Sequence, residues 1–153
     1  LTPQKGVIPL LNACRTLWKE GWSREMNMIG GGDHYYHPEN CSIEKWIRRN
    51  YSAEIRAKKL LLHGNLQPSK WNNLIVNGCV VLIPSIGDNY PFTVLESLAR
   101  GHIVLTSVQG GQTEIVQHGV NGFLFDHNTP NDLENKIKEI ESLSIDKINQ
   151  KRK

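Results

Sequence analysis

From Val7 to Glu20 the apolar residues Ile8, Leu10, Leu11, Ala13, Cys14, Leu17 and Trp18 recur at three- and four-residue spacing. That is the period of an amphipathic helix, and Gly21 predicts its end. Glu25–Ile29 is apolar at alternate positions and runs into Gly30-Gly31-Gly32, which predicts a short strand, followed by a polar loop through Pro38. From Ser42 onward Ile43, Trp46, Ile47, Tyr51 and Ile55 restore the helical spacing and predict a second helix ending near Ala57. Leu60-Leu61-Leu62, closed by Gly64, reads as a buried strand, and Pro68-Ser69 open a short helix to about Asn77. Cys79-Val80-Val81-Leu82-Ile83 is the most strand-like run of all. Pro91 at a first helical position and Gly101 just past the end bracket a helix to Arg100. His102–Thr106 and Phe123–Phe125 predict two more strands, with mostly loop between Gly110 and Gly122 and one turn of helix at Thr113–Gln117. Leu133, Ile137 and Ile140 mark a last helix.

Strand and helix alternate with connections long enough for crossovers, which predicts an α/β fold: a Rossmann-like, doubly wound parallel sheet covered on both faces. A chain of 153 residues has room for one such domain, here residues 1–143, followed by a basic tail at 144–153 that ends in Lys151-Arg152-Lys153. Apolar residues at 39% and charged residues at 22% exclude a disordered chain, and no apolar run approaches a membrane span. The net charge of +3 is too mild to point to nucleic acid. Three widely spaced cysteines, Cys14, Cys41 and Cys79, make no disulfide framework, so a reducing cytoplasm is the expected compartment. No basic-then-apolar leader opens the chain, so no signal peptide is expected, and the missing initiating Met points to a piece of a longer protein.

In parallel sheets ligands bind beyond the carboxyl ends of the strands, so the loops after Ile29, His63, Ile83 and Thr106 carry the candidate chemistry. Common motifs fail there: Tyr35 stands where a dinucleotide fingerprint needs its third glycine, no P-loop exists, and Ser85 lacks the sharp elbow of a hydrolase nucleophile. Asp33, His34, His37 and Cys41 have ligand chemistry, but a single polar loop reads as solvated rather than metallated. His63, His102 and His118 read as structural.

The run Asp88-Asn89-Tyr90-Pro91-Phe92-Thr93-Val94-Leu95-Glu96 is different, because a helix starts within it at the mouth of a strand, with an acidic residue before the start and another inside the helix. Backbone N–H groups of Phe92, Thr93 and Val94 at the positive end of the helix dipole suit a diphosphate. Glu96 lies roughly 7–8 Å further along the axis, on the face of Phe92 and Thr93, at a reach that suits ribose hydroxyls. Each feature has a plain alternative: Glu96 as a surface glutamate, Asp88 as a complement to the dipole, Gly110-Gly111 as a tight turn, Lys5 as a solvated lysine.

The run resembles the donor-binding motif of family 4 retaining glycosyltransferases of the GT-B fold. Ser107-Val108-Gln109-Gly110-Gly111-Gln112-Thr113-Glu114-Ile115-Val116, followed by Gly119-Val120-Asn121-Gly122, resembles that family's second glycine-rich segment, and Leu1-Thr2-Pro3-Gln4-Lys5-Gly6 resembles the end of its diphosphate motif. Asp88 stands where the family usually has glutamate, and the arginine usual before Leu1 is absent. The resemblance implies the C-terminal, donor-binding half of a GT-B enzyme, with its first strand missing or truncated and its N-terminal acceptor domain outside the chain. It implies a nucleoside diphosphate sugar as substrate, no cofactor, and metal-independent hexose transfer to a glycan or lipid-linked acceptor. Absence of any Asp-x-Asp pair agrees with that. Lys5 would steady the leaving group together with the helix start, and Asp88 would hold sugar hydroxyls. Asn89, Tyr90, Pro91, Phe92, Thr93, Val94, Gly110 and Gly111 would line sugar and phosphates, Leu66 would meet the base, and Glu96 the ribose. This chain alone is expected to be inactive. The alternatives are a nucleotide-sugar epimerase or phosphorylase of similar architecture, or a binding module without catalysis. Lys45, Arg48, Arg49, Arg56, Lys58 and Lys59, with only Glu44 and Glu54 among them, read as a solvated helix face, with contact to an anionic membrane surface as the alternative.

Overall fold

The computed structural model describes residues 1–67, 70, 74, 79–89 and 91–143. The tail at 144–153, Tyr90 and most of the helix expected from Pro68 to Asn77 lie outside them. Two units result, one of residues 1–3 and 18–76, the other of residues 4–17 and 77–153. The boundary falls inside helix α1 (Val7–Lys19). Pro9 sits in the first turn of α1, where a missing N–H costs nothing, and the Leu10 N–H reaches back to the Gly6 carbonyl at 3.1 Å.

In the first unit β1 (Met26–Met28) is the expected strand, but the expected polar loop after it contains a small antiparallel pair, β2 (Tyr35–Tyr36) with β3 (Cys41–Ser42). Pro38 and Asn40 make the turn between them, Asn40 adopting φ 51°, a left-handed conformation that asparagine tolerates. α2 (Ile43–Asn50) starts at Ser42, whose Oγ accepts the Lys45 N–H at 3.3 Å, and buries Ile43 and Ile47. The single helix expected to run to Ala57 is two. Tyr51, 1% exposed and 5.9 Å from the Trp46 ring, leaves helical geometry at φ −118° before α3 (Ser52–Arg56) begins. β4 (Leu60–Leu62) then pairs in parallel with β1, Met26 opposite Leu60 and Met28 opposite Leu62.

The second unit holds β5 (Val80–Ile83), α4 (Phe92–Ala99), β6 (Ile103–Ser107), β7 (Phe123–Phe125) and α5 (Asp132–Glu141). Its sheet runs in the order β5-β6-β7, parallel throughout, with Val80 opposite Ile103 and Leu105 opposite Phe123. All five residues of the central strand β6 are buried, as a strand with neighbours on both edges requires. Ile83, Val94, Val104 and Val116 form a buried cluster against Leu98 and Leu124. Full burial of a Val or Leu side chain is worth about 1.5–3 kcal/mol, so these contacts fix α4 and the 111–116 segment on the sheet. Because the strands are parallel, Ile83, Ser107 and Phe125 end on one side. Loops 84–89, 108–111 and 126–131 therefore share one mouth.

Candidate donor-binding site

At that mouth the chain crowds backbone against backbone. Gly6 has φ +70°, and a Cβ there would lie 1.8 Å from the Pro84 carbonyl oxygen. The Ile86 N–H donates to the Gln4 carbonyl at 2.8 Å, so the 3-10 turn Pro3–Lys5 is tied to the loop leaving β5. A second clamp comes from β6: a Cβ on Gly111 would lie 2.3 Å from the Asn89 carbonyl oxygen, one on Gly110 2.6 Å from that of Asp88, and the Gly111 N–H donates to Asp88 at 2.8 Å. Only residues without side chains let these segments approach so closely.

The two clamps bring Lys5 and Asp88 together. Lys5 Nζ donates to Asp88 Oδ2 in an ion pair, with the lysine side chain 56% exposed and the aspartate 20%. Beside them, α4 begins one residue later than expected, since Pro91 is its cap rather than its first residue, and no side chain among the described residues caps it. The expectation that Val94 offers an unpaired N–H is corrected. The Val94 and Leu95 N–H groups both turn back to the Pro91 carbonyl, at 2.9 and 3.4 Å, because proline in this cap position leaves its oxygen facing the first turn. Phe92, Thr93 and Glu96 share an exposed face of α4, with Phe92 69% exposed, and Asn89 is also exposed. Tyr90 is outside the described residues, and Leu66 belongs to the other unit, where Gly30 N–H donates to the Gly64 carbonyl at 2.8 Å across the mouths of β1 and β4.

Beneath the mouth lies a polar layer that the sequence reading missed. Thr106 and Ser107, ending the apolar strand β6, donate their hydroxyls to the Ile83 and Ser85 carbonyls, the former at 2.7 Å. Gln112, wholly buried, donates its amide to the Ser85 carbonyl at 3.1 Å and to Ser107 Oγ at 3.3 Å. His127 Nε2 donates to the Pro84 carbonyl at 2.8 Å, its ring edge-on to Phe125. The only sequence signal was two hydroxyl residues closing a strand that is otherwise apolar. The expected helical turn at Thr113–Gln117 is instead a 3-10 turn at Gly111–Glu114 that positions Gln112. Asn121 bonds Gln117 and Ile115 at 2.8 and 3.0 Å, and His118 accepts the Leu124 N–H at 3.0 Å, so that glycine-rich stretch is a self-tied turn. Asp126 is held below the usual carboxylate range, first by the Asn128 backbone N–H and then by Gln109.

Parallel strands whose carboxyl ends carry close-packed glycines, a cation and a helix start are the layout of a ligand-binding α/β domain of the doubly wound class. The chain belongs to the group 1 glycosyl transferases, whose family model matches residues 1–153. An uncharacterized glycosyltransferase of Methanocaldococcus jannaschii is 28% identical over 138 residues, which are 90% of this chain and 35% of that protein. An Anabaena protein solved in complex with UDP and glucose superposes with a TM-score of 0.78 at 20% identity, over 99% of this chain and 39% of that one. The C-terminal domain of a group 1 glycosyl transferase from Francisella tularensis gives 0.76 at 16% identity, over 100% of this chain and 76% of that one. The fold is that of the C-terminal domain of GT-B glycosyltransferases. This chain spans about a third of the length of the curated relatives it matches.

Proposed function

We propose that this domain holds a nucleoside diphosphate sugar, and that a longer protein containing it moves the sugar, with retention of configuration, to a glycan or lipid-linked acceptor. The observation that carries the reading is the Lys5–Asp88 pair, with the start of α4 close by in sequence and Glu96 on the exposed face one turn further in. Lys5 and the helix start offer positive charge to a diphosphate, which is what a departing nucleotide needs and what a divalent ion would otherwise supply. Asp88 accepts hydrogen bonds from sugar hydroxyls, and Glu96 accepts them from ribose. Gly110 and Gly111 serve the ligand indirectly, by letting the loop that carries Asp88 and Asn89 pack against their backbone. A partner domain must position the acceptor, because positioning supplies roughly 7–11 kcal/mol of such a barrier. The Anabaena structure with UDP and glucose makes UDP-glucose the first donor to try.

Isothermal titration of UDP-, GDP- and ADP-sugars against the domain and its Glu96→Ala and Lys5→Ala variants tests the site. Loss of Glu96 is expected to weaken the preferred donor by about 1–3 kcal/mol, the cost of leaving desolvated ribose hydroxyls unpaired. Unchanged affinity in both variants overturns the assignment. A second surface belongs to the same reading. Between Ile43 and Lys59 stand six cations and two carboxylates; Arg48 pairs with Glu44 and Arg49 with Glu39, while Lys45, Arg56 and Lys58 are exposed, and this stretch suits anionic lipid headgroups where a lipid-linked acceptor resides.

A further inference from the structure

Resting on the donor-site reading, we infer that Asp88 competes with the ligand's diphosphate for Lys5, and so makes the site discriminate against a nucleoside diphosphate that carries no sugar. The geometry makes the two partners unequal. Asp88 is short, four-fifths covered, and fixed through its backbone by the Gly111 N–H and by the lack of space above Gly110. Lys5 is also fixed through its backbone, by the Gln4–Ile86 bond and the close approach of Gly6 to Pro84. Its long side chain, more than half exposed, is the part that can swing. A diphosphate arriving at the start of α4 therefore draws Lys5 away and leaves Asp88 behind as an uncompensated carboxylate facing a polyanion.

What happens next depends on the sugar. Hexose hydroxyls donate hydrogen bonds to Asp88 and replace the lost ammonium, so the sugar-bearing donor meets no unpaired charge. A bare nucleoside diphosphate brings only more negative charge, and the carboxylate opposes it. After transfer the same competition works in the opposite direction: the sugar departs, Asp88 loses its donors, and recapture of Lys5 loosens the remaining diphosphate. Aspartate suits this role because its reach ends at Lys5 with the backbone clamped, so it cannot swing away from the phosphates as a longer carboxylate can.

The test is titration of UDP and UDP-glucose into the chain and its Asp88→Asn, Lys5→Ala, Lys5→Ala/Asp88→Asn and Glu96→Ala variants, with a melting curve for each. A partly exposed ion pair released from competition is worth about a two- to fivefold change in affinity. Asp88→Asn is expected to bind UDP two- to fivefold more tightly, to reduce the preference for UDP-glucose over UDP, and to lose most of that gain when Lys5 is also removed. A general lesion cannot produce a gain, so an unfolded variant does not mimic the result. Asp88→Asn binding UDP no better than the parent while Glu96→Ala still weakens it overturns the inference and leaves the donor site standing. UDP binding that none of the variants alters, or no binding of either ligand, overturns both.

Discussion

Replacement of Gly6 by alanine isolates the clamp between the start of the chain and β5. At φ +70° an L side chain costs about 1–2 kcal/mol in backbone strain. The added methyl would also stand 1.8 Å from the Pro84 oxygen, so turn and loop must separate by more than an ångström, an overpacking penalty of about 1–3 kcal/mol. Together these give roughly 2–5 kcal/mol, which lowers the melting temperature of a chain this long by about 5–15 °C. Gly64 supplies the internal control: it has φ +63° but nothing within 4 Å of an added Cβ, so Gly64→Ala carries the strain alone and loses about 2–6 °C. Circular dichroism melts of both variants against the parent read the difference. If the two variants melt within about 2 °C of each other, the close approach of Gly6 to Pro84 contributes nothing and the clamp is not real.

Burial pushes the Cys14 thiol from 9.0 up to about 12, with Glu134 adding to the shift. The raised value means that this thiol stabilises the fold below pH 9 and that its contribution is lost as pH rises from 9 toward 12, where the unfolded chain sheds the proton first. At pH 8 a thiol reagent is expected to label Cys14 only after denaturant is added, as read by peptide mass, and labelling of the native chain at that site refutes its burial. Gln112→Ala removes the two bonds that hold Ser85 and Ser107 and leaves a buried gap. A loss of about 2–4 kcal/mol is expected by urea titration, and a loss under 1 kcal/mol means the layer is not holding the loop. Charge reversal at Lys45, Arg49 and Arg56 is expected to abolish salt-sensitive sedimentation with phosphatidylglycerol vesicles, and equal binding to neutral vesicles removes the lipid reading.

Elements with strong periodicity are legible in the sequence alone. Val7–Lys19, Leu60–Leu62, Val80–Ile83 and Phe123–Phe125 fall where spacing and glycine punctuation put them. What failed was local and had local causes. The break at Tyr51 follows from one aromatic ring seeking burial, which leaves no trace in an apolar spacing that Ile47, Tyr51 and Ile55 continue without interruption. The Tyr35–Tyr36 pair with Cys41–Ser42 is only two residues per strand, too short for an alternation to show. In the candidate site, Lys5, Asp88, Gly110 and Gly111 were legible as letters in order, and their meeting depended on strand register. Gln112 and His127 were invisible because their partners are backbone carbonyls, which every sequence contains.

The buried layer under the mouth has a consequence for how such a domain diversifies. Loop 84–89 is held from below through the Pro84 and Ser85 carbonyls, and at its far end through Gly111. None of those restraints reads the side chains at Asn89, Phe92 or Thr93, which are exposed. Mutations there can explore new ligand contacts at little expense to the fold, since surface changes away from packed features usually alter stability by less than about 0.5 kcal/mol. A library randomised at those three positions should therefore remain mostly folded, while one randomised at Ser107, Gln112 and His127 should not. Selectable variety and structural constancy are separated here by a single layer of atoms.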